Sequence, residues 1–211
     1  MNFNEALIRI AAQLALDADQ LTAYAAEDTI PGSHDAYQVP MPGRNPYGIP
    51  YTSDGKLLYA LTRALRPDRV LESGTNYGGS AVHIASALKA NGAGTLVTVD
   101  VADVTHGHIP ADLLPYIELV VADIREWVGR AEATGFSLIH EDASHESDTV
   151  YAIYSHLRTL LPNGGVVLSH DTALGVSEYI HSGIVGAGFA VPPEYVYDES
   201  PCGFSVMRYV P

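Results

Sequence analysis

Cysteine is nearly missing from this chain. Cys202 is the only one among 211 residues, which leaves no internal disulfide and no thiolate cluster for zinc, and makes a reducing cytoplasm the default compartment. Basic residues are scarce as well: 11 Lys and Arg stand against 25 Asp and Glu, a formal charge of −14. A phosphate backbone needs a cationic surface, so the charge argues against nucleic acid as a partner and disfavours anionic membranes. It is compatible with a cationic ligand or a metal. No apolar run approaches the roughly 20 residues needed to span a bilayer. The N-terminal stretch "MNFNEALIRIAAQLALDADQ" lacks a basic n-region, and Asn4, Glu5, Arg9 and Gln13 interrupt its apolar residues. It reads as an amphipathic helix and not as a signal peptide. No internal repeat or low-complexity segment is visible.

What is present fits a globule: 47% hydrophobic and 17% charged residues in a length suited to one domain, or one domain with a short extension. The Ala-rich composition gives only a slight pointer to a high-GC bacterial source. Residues 3–27 place Phe3, Ala6, Leu7, Ile10, Leu14 and Leu21 at helical spacing. A stretch with five Pro, three Gly and three Tyr follows at 31–51 and reads as a loop laid over the domain face. Residues 1–52 are thus expected to form an N-terminal helix with a lid or acceptor loop, and 53–211 the main domain. Ser53-Asp54 is a helix N-cap signal before "GKLLYALTRAL" (55–65), which Pro67 ends. From residue 69 strand and helix alternate: strands at 69–73, 94–100, 117–123, 136–142 and 165–171, and helices at 79–90, 124–133, 146–161 and 175–187. Two late strands, "FAVPPEYVY" and "GFSVMRYV", can pair as a hairpin and add one antiparallel strand. The pattern predicts an α/β fold: a Rossmann-like, doubly wound, mostly parallel sheet of seven strands.

In such sheets ligands bind beyond the carboxyl ends of the strands. Five successive strands end with an acid: Glu72, Asp100, Asp123, Asp142 and Asp171. The turn after the first, in "VLESGTNYGGSAVHIASAL", is rich in glycine. A dinucleotide fingerprint would need Gly two residues after Gly74, where Asn76 stands, so NAD and FAD are disfavoured; no Gly-Lys-Ser/Thr follows, which excludes a Walker loop.

The turn reads E-x-G-x-x-x-G-x-S: Glu72, Gly74, Gly78, Ser80. Together with "GTLVTVDV", "LIHEDASHE" and "GGVVLSHDT" it resembles the class I S-adenosylmethionine (SAM)-dependent methyltransferases, in particular the catechol/caffeoyl-CoA O-methyltransferase-like group and its small bacterial relatives. The resemblance covers residues 53–171. It implies cofactor contacts from Glu72, Gly74, Thr75, Asn76, Gly78, Ser80, Asp100, Asp123 and Ile124. The chemistry of those positions agrees. Gly74 lets the backbone pass close to the methionine part of SAM. Glu72 can accept from its ammonium, and Ser80 can join backbone N–H groups in holding its carboxylate. Asp100 can take both ribose hydroxyls. Asp123 would face the adenine amino edge and Ile124 its ring.

The resemblance further implies a divalent cation, Mg²⁺ in the first place, between Asp142 and Asp171, where it would bind a substrate hydroxyl and lower its pKa. Thr172 stands where the metal-dependent enzymes carry Asn as third ligand, and Ser144 breaks their usual D-A-D. The alternative for these acids is binding to loop amides or helix N-termini. His145 falls where the family often carries the group that takes the transferred proton, a task suited to imidazole; His170 could serve instead, or orient the acid beside it. The histidines of "HGH" (106–108) read as exposed loop. His140 and Glu141 do not make a zinc protease, because H-E-x-x-x-H is one residue too long and lies at a strand end. There is no nucleophile elbow.

The expected activity is therefore O-methylation of a small phenolic or natural-product hydroxyl, with Tyr37, Met41, Tyr47 and Tyr51 as candidate acceptor walls. Two readings stand beside it: metal-independent O- or N-methylation, and a SAM- or small-molecule-binding module without turnover. The apolar N-terminal helix is the candidate surface for a homodimer.

Overall fold

The first helix, α1 (Phe3–Leu14), begins at Asn2, whose side chain accepts from the Glu5 N–H while the Glu5 carboxylate accepts from the Asn2 N–H. This reciprocal cap fixes its start. It buries Ala6, Leu7, Ile10, Ala11 and Leu14. The sequence predicts one helix over 3–27, but two form. Ala15 turns left-handed at φ 51 and returns its N–H to the last turn of α1. Asp17 then caps α2 (Ala18–Glu27) by accepting from the Gln20 N–H. The apolar face offered for a homodimer is spent within the chain.

The computed structural model describes residues 1–30, 52–103, 109–130, 132–173, 175–197 and 200–211. The loop 31–51 with its four candidate wall residues, and the histidines of 106–108, lie outside the described residues. Helix α3 (Thr52–Leu65) starts before the expected cap, so Ser53 and Asp54 fall inside its first turn and are buried. There follow β1 (Arg69–Ser73), α4 (Gly79–Asn91), β2 (Thr95–Asp100), β3 (Ile117–Val121), α5 (Ile124–Trp127), β4 (Leu138–Glu141), α6 (Ser147–Ser155), α7 (Leu157–Leu160), β5 (Val166–His170), α8 (Ser177–Gly186), β6 (Glu194–Tyr197) and β7 (Ser200–Arg208). The expected helix 146–161 breaks at His156 into α6 and α7, and the one expected over 124–133 is a single turn.

The strands form one seven-stranded sheet in the order β3-β2-β1-β4-β5-β7-β6. The first five are parallel, and β7 runs antiparallel to both β5 and β6. The mostly parallel, doubly wound sheet with one antiparallel strand is as expected. Alternation along each strand divides the core. Val70, Leu96, Leu138, Leu168 and Val206 face α1, α3 and α4 through Leu7, Ile10, Leu57, Leu61, Ile84 and Leu88. Leu71, Val97, Ile139 and Val167 join Trp127, Ile153, Tyr154, Ile180 and Ile184 of α5, α6 and α8. Such two-sided burial is what near-continuous Val/Ile/Leu strands require. Among the described residues no helix is long and apolar enough to cross a membrane.

Strand order reverses between β1 and β4, and at such a switch point doubly wound sheets place their ligand crevice, beyond the carboxyl ends of the strands. Its floor is tight. The Asp142 N–H donates to the Ser73 carbonyl at 2.9 Å, and a Cβ on Gly74 would stand 2.2 Å from the Asp142 carbonyl oxygen. Gly74 also has φ 93, a conformation that other residues adopt at a cost of about 1–2 kcal/mol. Backbone cannot yield as a side chain can. Gly74→Ala is therefore expected to destabilise the fold by at least about 2 kcal/mol, strain and overpacking together. Urea denaturation measures it, and a midpoint equal to that of the parent chain would refute the crowding.

Candidate active site

Strand register builds the first layer of the site. Thr98 on β2, Glu72 on β1 and His140 on β4 are direct neighbours across the sheet, and all three are buried. They lie one step beyond the apolar row Leu96–Val70–Leu138. The Thr98 hydroxyl donates to Glu72 Oε2 at 2.6 Å, the Thr75 hydroxyl lies 2.6 Å from that of Thr98, and His140 Nδ1 is 3.4 Å from Glu72 Oε1. Glu72, read as an ammonium contact, is the most enclosed of the expected cofactor residues. Its carboxylate braces three strand ends.

The glycine turn rests on Asp100. One oxygen of that carboxylate accepts from the Thr75 and Asn76 N–H groups at 3.0 and 2.9 Å, and the other from Ala102 N–H at 3.1 Å. Left-handed Gly74, Asn76 and Gly78 shape the turn, and Ser80 is buried in the first turn of α4. Asp123 sits at the same edge of the sheet, but its carboxylate caps α5 through Arg125 N–H and pairs with the Arg125 guanidinium at 2.6 Å. That pairing holds its carboxyl below the ordinary range. Ile124 is folded into the core with Trp127.

The second layer lies across the crevice, beyond β4 and β5. His145 Nε2 is 2.8 Å from Asp171 Oδ2. His170 Nδ1 is 3.2 Å from Asp142 Oδ1 and 3.5 Å from Asp171 Oδ1. Its other nitrogen, Nε2, is 3.2 Å from Asp54 Oδ2. His145 and Asp171 both adopt left-handed backbone, φ 56 and 58. Asp142, His145 and Asp171 each present a donor atom within 4.8 Å of the other two, as do His170, Asp171 and Cys202. Two carboxylates and an imidazole suit a divalent cation, so the residues present fit a metal at the expected place. The expected weak points resolve differently. Ser144 turns to the Thr149 hydroxyl at 2.8 Å, and the Thr172 hydroxyl is buried without a partner among the described residues.

Charges here are set by mutual pairing. Burial opposes charge on His170, yet the field of Asp142 and hydrogen bonds to Asp142, Asp171 and Asp54 hold it well above the ordinary imidazole value. Burial likewise opposes charge on His145, and its bond to Asp171 outweighs that. Burial works against ionised Asp171 and Asp142 as well, but the imidazoles hold both carboxyls low. Glu141 is the contrast: it is fully buried, its oxygens lack hydrogen-bond partners among the described residues, and burial raises its carboxyl. Burial and Asp171 push the Cys202 thiol up to about 12.

Three members of this layer were not marked by the sequence. Asp54 looked like a cap signal, Tyr197 was one more strand residue, and Cys202 had no motif. Tyr197 donates its hydroxyl to Asp54 Oδ1 at 2.6 Å, and Ala173 N–H donates to the Cys202 carbonyl at 2.9 Å. These are contacts between distant parts of the chain, and no local spacing encodes them.

Residues 71–172 match the family model described as a methyltransferase domain. None of the curated proteins matches the chain in sequence. Among solved structures, a SAM-bound O-methyltransferase from Streptomyces achromogenes involved in tomaymycin synthesis is 21% identical, with 99% of this chain and 97% of that chain covered at a TM-score of 0.61. An O-methyltransferase from Bacillus cereus in complex with S-adenosylhomocysteine (SAH) is 19% identical, with 95% and 100% covered and a TM-score of 0.66. A TDP-rhamnose 3'-O-methyltransferase of calicheamicin biosynthesis is 16% identical, with 92% and 93% covered and a TM-score of 0.57. At these identities the likeness shows the fold. With the family match, it bears out the resemblance to class I SAM-dependent methyltransferases.

The pairing predicts a pH signature. His145 and His170 have folded pKa values above the unfolded value of about 6.5. Their contribution is complete below that pH and is lost as pH rises through the raised folded values. Asp142 and Asp171 are depressed below about 3.9, so their contribution is complete above that pH and is lost as pH falls through the depressed values. In chelator, Tm is expected to hold between about pH 4 and 6.5 and to decline on the alkaline side, less steeply in Asp171→Asn. A Tm that climbs steadily from neutral to alkaline pH would contradict this.

Proposed function

We propose that this chain, whose residues 71–172 match a methyltransferase-domain model, transfers the methyl group of SAM to a hydroxyl of a small phenolic or natural-product acceptor, with a divalent cation such as Mg²⁺ assisting. One observation carries the proposal. The glycine turn and the carboxylate–imidazole layer meet in a single crevice, with Gly74 packed against the backbone of Asp142. A methyl donor held by the turn would thus have an acid–base pair directly opposite. The solved structures named above support the reading: they are O-methyltransferases, two of them seen with SAM or SAH, and two serve natural-product biosynthesis.

The roles follow from placement. The three N–H groups on Asp100 fix the turn and aim its carboxylate, which keeps lone pairs for ribose hydroxyls. N–H groups at the start of α4 face the place for a ligand carboxylate. Asp171 holds the His145 ring through Nε2, which leaves Nδ1, buried and without a hydrogen-bond partner among the described residues, as the atom that takes the acceptor's hydroxyl proton. Asp142 and Asp171 would hold the cation, which when bound supplies Lewis acidity that lowers a hydroxyl's pKa. His145 accepts a proton only when neutral, and its pKa is raised, so the rate should climb above pH 6.5. A second reading, O-methylation without metal, is favoured by one feature: His170 and His145 already pair both acids.

Calorimetric titration with SAH tests the cofactor first. Micromolar binding that Asp100→Ala abolishes, with none for NAD, is the expected result; absence of SAH binding with and without Mg²⁺ sinks the reading. Methyl transfer to catechol as acceptor probe should fall about 10²–10⁴-fold in His145→Ala. Loss of activity in chelator selects the metal-assisted form, and full activity there selects the metal-free one.

A further inference from the structure

His170 occupies an unusual position. Both of its ring nitrogens face carboxylates, Asp142 and Asp171 on one edge and Asp54 on the other. Its ring also meets Phe204 in a tilted contact, with ring centroids 4.7 Å apart. A ring so held cannot rotate without losing a bond on both edges. Asp54 is wholly buried and comes from α3, more than a hundred residues from His170 in sequence. Its second oxygen is taken by the Tyr197 hydroxyl at 2.6 Å. The Tyr197 ring in turn lies 5.3 Å from Phe3 of α1. A continuous line of directional contacts thus runs Tyr197–Asp54–His170–Asp142, from the outermost strand to the crevice.

We propose that Asp54 and Tyr197 are positioning residues for methyl transfer: they fix the His170 ring, and through it the direction in which Asp142 presents its carboxylate to the crevice. The proposal rests on the O-methyltransferase reading. Both act through the His170 ring. Their effect is orientation: with Asp54 removed, His170 Nε2 loses its acceptor in a buried setting, and the ring gains a rotation that carries Asp142 with it. With Tyr197 shortened to Phe, Asp54 keeps its bond to His170 but loses the one that sets its angle. Outer-shell groups of this kind change activity by about 10–100-fold when removed.

The experiment compares Tyr197→Phe, Asp54→Asn and Asp54→Ala with the parent chain. It reads kcat and KM with catechol as acceptor probe, SAH affinity by calorimetry, and Tm. The expected result is a kcat lower by about 10–100-fold in Tyr197→Phe and Asp54→Ala. SAH affinity should stay within about two-fold, since the turn rests on Asp100 and not on this line. Asp54→Asn should recover part of the loss, because its amide oxygen still accepts from His170. In nitrogen-15 histidine spectra, the His170 Nε2–H resonance should be present in the parent chain and in Asp54→Asn, and lost in Asp54→Ala. A kcat near that of the parent in Tyr197→Phe and Asp54→Asn, together with an unaltered His170 resonance in Asp54→Ala, overturns the proposal. So does a loss in which kcat, SAH affinity and Tm fall together in every variant, which is the mark of plain structural support. Absence of SAH binding and methyl transfer in the parent chain is a different failure: it removes the O-methyltransferase reading itself.

Discussion

Burying a carboxylate is costly unless its charge is met, and this chain gathers Asp54, Asp142 and Asp171 around two imidazoles at one edge of its sheet. Much of the architecture can be read as the means of meeting that demand. Helix α3 delivers Asp54, strands β4 and β5 deliver Asp142 and His170 from adjacent ends, and the outer hairpin brings Tyr197 and Cys202 back over the top. His170 and Asp171 are neighbours at one strand end, but Asp54, Asp142 and Tyr197 each reach the cluster from a different element. The cluster therefore forms only when the whole sheet has formed, and its charges bind helix, parallel strands and hairpin into one unit.

The parallel sheet makes this possible by register. Strands β1, β4 and β5 bury large aliphatic residues and turn polar at their last two positions. On one face Leu96, Val70 and Leu138 give way to Thr98, Glu72 and His140 across three adjacent strands. The change from an apolar row to a polar row marks where the core stops and the crevice begins. On the opposite face the same step brings Glu141, whose acid stays enclosed and unpartnered among the described residues, and Ser169, which meets Tyr154 at 3.1 Å. The crevice chemistry thus belongs mainly to one side of the sheet, the side covered by α3 and α4.

The sheet was legible because its causes are local. Runs such as "RVLES" and "GVVLSHD" are short, apolar and bounded by turn residues, and their closing acids do gather at one edge. Ala15 was not legible: it breaks the first helix by a left-handed turn that neither Gly nor Pro announces. Asp123 shows the limit of reading an acid by position. The sequence places it correctly at a strand end, but its nearest cation, Arg125, lies two residues on and claims the carboxylate. Asp54 shows the converse: a residue that looks like a cap by spacing is drawn inside by partners far along the chain. Local pattern finds the edge of the sheet, whereas the pairings that make the edge chemically specific are tertiary.

His145 and Asp171 hold left-handed backbone although neither is glycine, and His and Asp tolerate this region better than most residues but not freely. At each position glycine would relieve about 1 kcal/mol or more of strain. It would also remove the ring or the carboxylate of the His145–Asp171 pair. Conformational preference and chemistry therefore pull in opposite directions at the same two residues. Under selection for stability alone, this sequence would drift toward glycine there and become a sturdier fold; on the function proposed above, it is the demand for turnover that keeps the imidazole and the acid in place.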